Sequence, residues 1–141
     1  EGEQKQNLIE QSQRLGLEND VVFLGWISGQ QKTEFYQSID IALVPTMNDT
    51  QPLAILDAFA WAKPVVASDH LSVQQIIRHN ENGLMAKCAD VTDLVKQLQW
   101  CLDHPEKLVC YAEQGHQDAQ QKYSFNTVAQ QLHDFLMSLN T

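Results

Sequence analysis

The chain has 141 residues, 43% of them hydrophobic and 19% charged, which suffices for one domain with a core of its own. A formal net charge of −9 lacks the basic footprint that nucleic-acid phosphates or a polybasic lipid contact require, and no run of about 18 apolar residues is present to span a bilayer. A small anionic ligand stays open, because backbone N–H groups at one helix end hold a phosphate even on an acidic protein. The chain opens on Glu1 with a polar stretch that resembles neither a signal nor a transit peptide, and it reads as a piece of something longer. Leu8, Ile9 and Leu15 give residues 4–15 a helical pattern stopped by Gly16. Val21, Val22, Phe23 and Leu24 form a short continuous apolar run, the pattern of a strand buried on both faces. Ser28 is placed to cap a helix over residues 31–38 with Phe35 and Tyr36 inward. Residues 39–44 are the next apolar strand, ended by Pro45, and residues 46–51 form a polar loop. Pro52 suits a first helical turn, and Leu53, Ile55, Leu56, Phe59 and Ala60 carry the helix to Ala62. Residues 65–68 are a further strand after Pro64, Val73, Ile76 and Ile77 mark a short helix, and Asn82-Gly83 is a turn before a strand over residues 83–86. Val91, Leu94, Val95, Leu98 and Leu102 then share a helix face, His104-Pro105 breaks that helix, and residues 106–122 and 126–139 are two closing helices.

Strict alternation of helix and strand predicts an α/β domain, Rossmann-like, with a parallel sheet and helices on both faces. No internal repeat or Gly/Ser linker divides the chain, so residues 1–141 read as one domain. Cys88, Cys101 and Cys110 are odd in number and loosely spaced, and His70, His79, His104, His116 and His133 lack metal-ligand spacing, so neither a disulfide framework nor a metal site is expected. In such sheets ligands bind outside the carboxyl ends of the strands. Two loops qualify: Gly25-Trp26-Ile27-Ser28-Gly29 after the first run, and Pro45 to Gln51 after the second, which runs directly into a helix N-terminus.

The stretch PTMNDTQPLAILDAFAWAKPVVAS, residues 45–68, resembles the donor-site segment of GT-B glycosyltransferases of the large retaining family called group 1, or family 4, P-S-x-x-E-x-F-G-L-x-x-L-E-A-M-A-x-G-x-P-V-V-A-S. The flanks VVFLGWISGQQKTEFYQSIDIALVP and ENGLMAKCADVTDLVKQLQWCLDHPE match the same family in one register, so the resemblance covers nearly the whole chain. It implies the C-terminal, nucleotide-sugar-binding half of a two-domain enzyme, truncated at its N-terminal side and lacking the acceptor domain. The family's two glutamates fall on Asp49 and Asp57. Each carboxylate is one methylene shorter and reaches about 1.5 Å less. The family's Phe-Gly falls on Gln51 and Pro52, where proline removes a backbone donor, and its later glycine falls on Ala62.

By the resemblance, Asp49 holds the donor sugar as the catalytic carboxylate, and Asp57 accepts hydrogen bonds from the ribose hydroxyls. Thr50, Gln51 and Leu53 offer N–H groups to the diphosphate. Gly25 and Trp26 line the nucleobase pocket, where an indole stacks on a base. The basic pair that neutralises the leaving group lies upstream of residue 1 in the family, and neither Arg14 nor Arg78 stands in a matching context. The implied parent moves a sugar, with retention of configuration and no metal, from a nucleotide-diphosphate sugar to a glycan or lipid acceptor. It works in the cytoplasm, associated with the inner membrane face through the missing half, while the fragment alone is inactive. The departures at Asp49, Asp57 and Gln51-Pro52 support an alternative: a degenerate, non-catalytic domain that binds nucleotide or protein on the same fold. A GT-B-type epimerase is a third, less favoured reading.

Overall fold

The computed structural model describes residues 2–139. Its elements in chain order are α1 (Lys5–Arg14), α2 (Gly29–Ser38), β1 (Ala42–Val44), α3 (Leu53–Ala60), β2 (Val65–Ser68), α4 (Leu71–Gln74), β3 (Leu84–Ala86), α5 (Val91–Asp103), α6 (Pro105–Lys122) and α7 (Phe125–Ser138). The chain divides into two units, Glu1–Phe35 and Tyr36–Thr141, with the boundary inside α2.

In the first unit α1 ends on Gly16 at φ 68°, with Gly16 N donating to Gln13 O at 3.0 Å and Leu17 N to Ser12 O at 2.9 Å. These two bonds satisfy carbonyls that the helix end would otherwise leave free, and the left-handed residue they need is the glycine that stopped the pattern in the sequence. The strand expected over residues 21–24 does not form: the segment is extended without a ladder, and Val22 is 76% exposed. A continuous apolar run calls for cover on two faces, but a strand exists only where a neighbouring backbone takes its N–H and C=O groups. Among the described residues no strand pairs with it.

The second unit holds a parallel sheet of order β1-β2-β3, with Ala42 opposite Val65 and Val66 opposite Leu84. The central strand β2 is buried at all four positions, as its apolar run predicts for a strand covered on both faces. Val66 packs with Leu84, Cys101 and Tyr111, and Leu94, Leu98 and Trp100 close around that cluster. The two-residue period of a strand turns Val65 and Ala67 to the other face, where both are buried. α3 contacts β1 and β2, α5 contacts β2 and β3, and α6 packs on both helices. At the α3–α6 crossing a Cβ on Gly115 would stand 2.6 Å from the Phe59 ring, so the backbone approach depends on glycine there. His104 and Tyr111 each stack on Trp100, with centroids 4.4 and 5.9 Å away, and this fixes the corner between α5 and α6.

Two inward faces differ from expectation. On α3 the buried residues are Ile55, Ala58 and Phe59, whereas Leu53 is 63% exposed and Ala60 is exposed. LAILDAFA is apolar nearly all round, so periodicity cannot choose its buried stripe. On α5 the stripe runs through Leu94, Leu98 and the fully buried Cys101, leaving Val91, Val95 and Leu102 exposed. Cysteine buries as a small hydrophobe, and its place in the core moved the stripe around the helix.

Candidate functional site

Because the three strands are parallel, Val44, Ser68 and Ala86 end on one edge of the sheet, and the segments that follow them form its rim. Residues 45–52 lead from β1 into α3. Asp49 Oδ1 accepts from Gln51 N at 2.9 Å, an Asx turn that aims the chain at the helix. Pro52 occupies the N-cap position of α3 and no side chain caps the helix, so its first turn presents backbone N–H groups with no side-chain partner. An uncapped helix start at the carboxyl edge of a parallel sheet is an anion-binding arrangement.

The loop is held from β2's side. Ser72 Oγ donates to the Asp49 carbonyl at 2.5 Å, and His70 Nδ1 lies 2.9 Å from the same Oγ. A carbonyl only accepts, so the Ser72 proton is committed to Asp49 and His70 Nδ1 must be the donor to Ser72. A contact from Ser72 N to that same nitrogen, at 3.4 Å, competes for it and is too long to decide the tautomer. Neither His70 nor Ser72 was singled out in the sequence as a site residue. Their signal, a His-x-Ser just beyond an apolar strand, becomes legible only when β1 and β2 are seen to end side by side.

Asp57 lies on the second turn of α3, half-buried. It faces Tyr36, whose phenol is pushed above its ordinary value by burial first and by the Asp57 charge second. Tyr36 Oη donates to the Ala54 carbonyl at 3.4 Å, which ties the end of α2 to α3. The structure therefore brings Asp49, Thr50, Gln51, Leu53 and Asp57 together on one loop and helix. The Gln51 N–H expected to meet a phosphate is engaged by Asp49 in this state. Gly25 and Trp26 belong to the first unit, where Gly25 adopts φ 70° and Trp26 is 86% exposed. That exposure leaves the whole indole face open to contact.

At the C-terminal end of α3, Ala62 takes φ 49°, with Ala62 N donating to Phe59 O at 3.0 Å and Lys63 N to Ala58 O at 2.9 Å. This is the helix ending that glycine makes without strain, at the position where the resembling family carries glycine. Arg78 proves structural. Its Nη2 lies 2.8 Å from Asp118 Oδ2 and its Nε lies 2.7 Å from Glu81. Among the described residues, no group of three or more His, Cys, Asp or Glu side chains is placed to hold a metal ion, and no helix is long and apolar enough to cross a membrane.

A parallel, Rossmann-like α/β sheet with an open helix start at its carboxyl edge defines a class of nucleotide- and phosphate-handling domains. Within that class the chain belongs to the glycosyl transferases group 1, whose family model matches residues 1–118, and its fold is that of GT-B glycosyltransferases. It is 28% identical over 134 residues to a D-inositol 3-phosphate glycosyltransferase of Corynebacterium urealyticum, covering 95% of this chain and 31% of that protein. It is 27% identical over 118 residues to the lipopolysaccharide core biosynthesis glycosyltransferase LpsE of Rhizobium meliloti, covering 83% of this chain and 34% of that protein. The crystal structure of Anabaena HepE in complex with UDP-glucose superimposes with a TM-score of 0.87 at 27% identity, over 97% of this chain and 38% of that one. The chain thus spans about a third of the length of each of these relatives.

Proposed function

We propose that this chain supplies the donor site of a glycosyltransferase that takes a nucleotide-diphosphate sugar and passes the sugar, with retained anomeric configuration, to a glycan or lipid acceptor. The observation that carries the reading is the uncapped start of α3, fed by the Asp49 loop, with Asp57 one turn further in. The diphosphate rests on the free N–H groups of the first turn, Leu53 among them. Thr50 and Gln51 stand beside it, and the Asp57 carboxylate accepts from the ribose hydroxyls. Asp49 turns to the donor sugar when it releases Gln51 N, which frees that N–H for the diphosphate.

The UDP and UDP-glucose complexes of the Anabaena relative favour a uridine donor, and the lipopolysaccharide role of the Rhizobium relative favours a cell-envelope acceptor. No metal is needed in this reading. Leaving-group charge is met by helix N–H groups and by cations outside this chain. The protein works in the cytoplasm at the inner membrane face, with the remainder of the enzyme as its partner. Incubation of the intact protein with UDP-, GDP- and ADP-sugars and an acceptor panel tests this, with the product anomer read by NMR. One donor should turn over to a product of unchanged configuration. An inverted product removes the retaining mechanism, and no turnover with any donor removes the catalytic reading.

A second reading keeps the nucleotide and drops the chemistry. It is favoured by Pro52, which has no N–H, and by the Asx turn that engages both Asp49 and Gln51. Nucleotide binding without turnover in the same experiment selects it.

A further inference from the structure

A cavity of about 300 Å³ opens at the carboxyl edge of the sheet, between the segments that follow the three strands and the start of α5, and no residue of α3 lines it. Its floor is Ser68. Alternation along β2 puts Ser68 on the same face as Val66, so the cavity continues the α5-side core upward to solvent. Leu94 and Ala86 wall it, and Pro45, Met47 and Val91 form its mouth. Ser68 is 5% exposed, yet its hydroxyl bonds to no described residue. Among the described residues no fully enclosed side-chain polar atom lacks a partner, so the Ser68 hydroxyl must reach the accessible surface of this cavity. A buried hydroxyl kept unpaired beside a cavity leaves a hydrogen bond for a ligand to complete.

The lining defines the ligand. A volume at the lower limit of ligand pockets, about 300 Å³, suits one six-membered ring and not a nucleotide. Asp90 caps α5 through Oδ1, which accepts from Asp93 N at 3.0 Å, and its Oδ2 has no described partner. Asp93 sits one turn on and accepts from Lys87 N at 2.7 Å. Two carboxylates against the single ammonium of Lys87 disfavour a phosphate or carboxylate ligand. What remains is a neutral ring with an apolar face and hydroxyl groups at its edge. The C–H face of such a ring would lie on Leu94, Ala86 and Met47, with Ser68 and Asp90 in the lining to meet its hydroxyls.

We infer that this cavity is a saccharide subsite, which takes a neutral pyranose beside the loop that carries Asp49. The inference rests on the proposed function for its role but not for its binding. The test is saturation-transfer NMR on the intact protein with the methyl glycosides of glucose, galactose, mannose and N-acetylglucosamine, with UDP titrated separately on the same sample. At least one glycoside should receive saturation that UDP does not displace. Val91→Trp, at an exposed position of the mouth, should abolish the signal, and Ser68→Ala should weaken binding about tenfold, each with UDP affinity unchanged. No transfer to any glycoside, or transfer that persists in Val91→Trp and Ser68→Ala with their melting temperatures unaltered, overturns the subsite. Loss of UDP binding in the native protein with glycoside transfer intact would instead overturn the donor site alone.

Discussion

Asp118 and Asp57 are both helix aspartates of the second unit, and their surroundings are opposite. Asp118, on α6, is buried and surrounded by donors: Lys122 Nζ at 2.7 Å, Arg78 Nη2 at 2.8 Å and Asn82 Nδ2 at 2.8 Å. Burial would raise its pKa, but the hydrogen bonds from Lys122, Asn82 and Arg78 outweigh it and hold the carboxyl below the ordinary aspartate range. Asp57, on α3, is half-buried at the ligand edge, faces a phenol, and raises that phenol's pKa by its charge. A carboxylate whose bonds are all made within the fold is committed to stability. One on the second turn of a helix whose start is uncapped, only half-buried, stands where a ligand on that helix start would meet it. The pair therefore separates two kinds of acidic residue that look alike in a sequence.

The largest effect is expected at the rim. Asp57→Ala should weaken donor nucleotide binding about tenfold to a few hundredfold, since hydrogen bonds to a charged acceptor are worth about 1.5–3 kcal/mol and each 1.4 kcal/mol is a decade. Its unfolding free energy should move by no more than about 1 kcal/mol, because alanine's higher helix propensity offsets part of what a half-buried carboxylate loses. Calorimetric titration beside a denaturant melt reads both. A large stability loss with native affinity would erase the contrast with Asp118.

Asp118→Ala should do the reverse. Arg78 and Lys122 are partly in water and can swing outward, so the cost centres on the Asn82 amide, which is 0% exposed and would lose one of its acceptors. An unsatisfied buried donor costs about 1–3 kcal/mol, so the urea midpoint should fall while UDP affinity in the folded protein holds. The pH dependence follows in sign. With its folded pKa depressed, Asp118 contributes stability that is fully present above the unfolded-state value and is lost as pH falls through the folded one. Acid titration of stability should be shallower in Asp118→Asn than in the native protein over that window.

Ala62→Gly sharpens the contrast from the same helix as Asp57. Relief of a left-handed alanine should add about 1 kcal/mol of stability with no change in nucleotide affinity, checked by the same two measurements. The smallest effect belongs to Ser72→Ala. It removes the bond to the Asp49 carbonyl but no proposed ligand contact, and should raise the donor KM a few-fold with kcat nearly unchanged. A kcat loss as large as that of an Asp49 variant would place Ser72 in the chemistry itself.

Much of the architecture was legible in the sequence. The apolar run of β2, the stop at Gly16 and the break at His104-Pro105 all form as their local chemistry dictates. Residues 21–24 carry as strong a run as residues 65–68, yet Val22 is 76% exposed while Val65 and Val66 are 1% exposed. Composition states a demand for cover and pairing, and only the rest of the fold can meet it. The candidate site was legible as a segment, residues 45–57, because loop and helix are contiguous in the chain. The restraint on it was not. Ser72 lies 23 residues from Asp49, and their contact exists only because β1 and β2 end side by side. The Ser68 cavity was hidden for the same reason, since a serine at the end of an apolar strand gives no sign of being left unpaired.

The central claim, that a nucleotide-diphosphate sugar sits on the start of α3, is tested most directly by a crystal structure of the intact protein with UDP-glucose. The diphosphate should lie within hydrogen-bond distance of the first-turn N–H groups of α3, with the ribose hydroxyls on Asp57 and Asp49 released from Gln51 toward the sugar. A nucleotide bound away from α3, or a ribose that leaves Asp57 without contact, would contradict it.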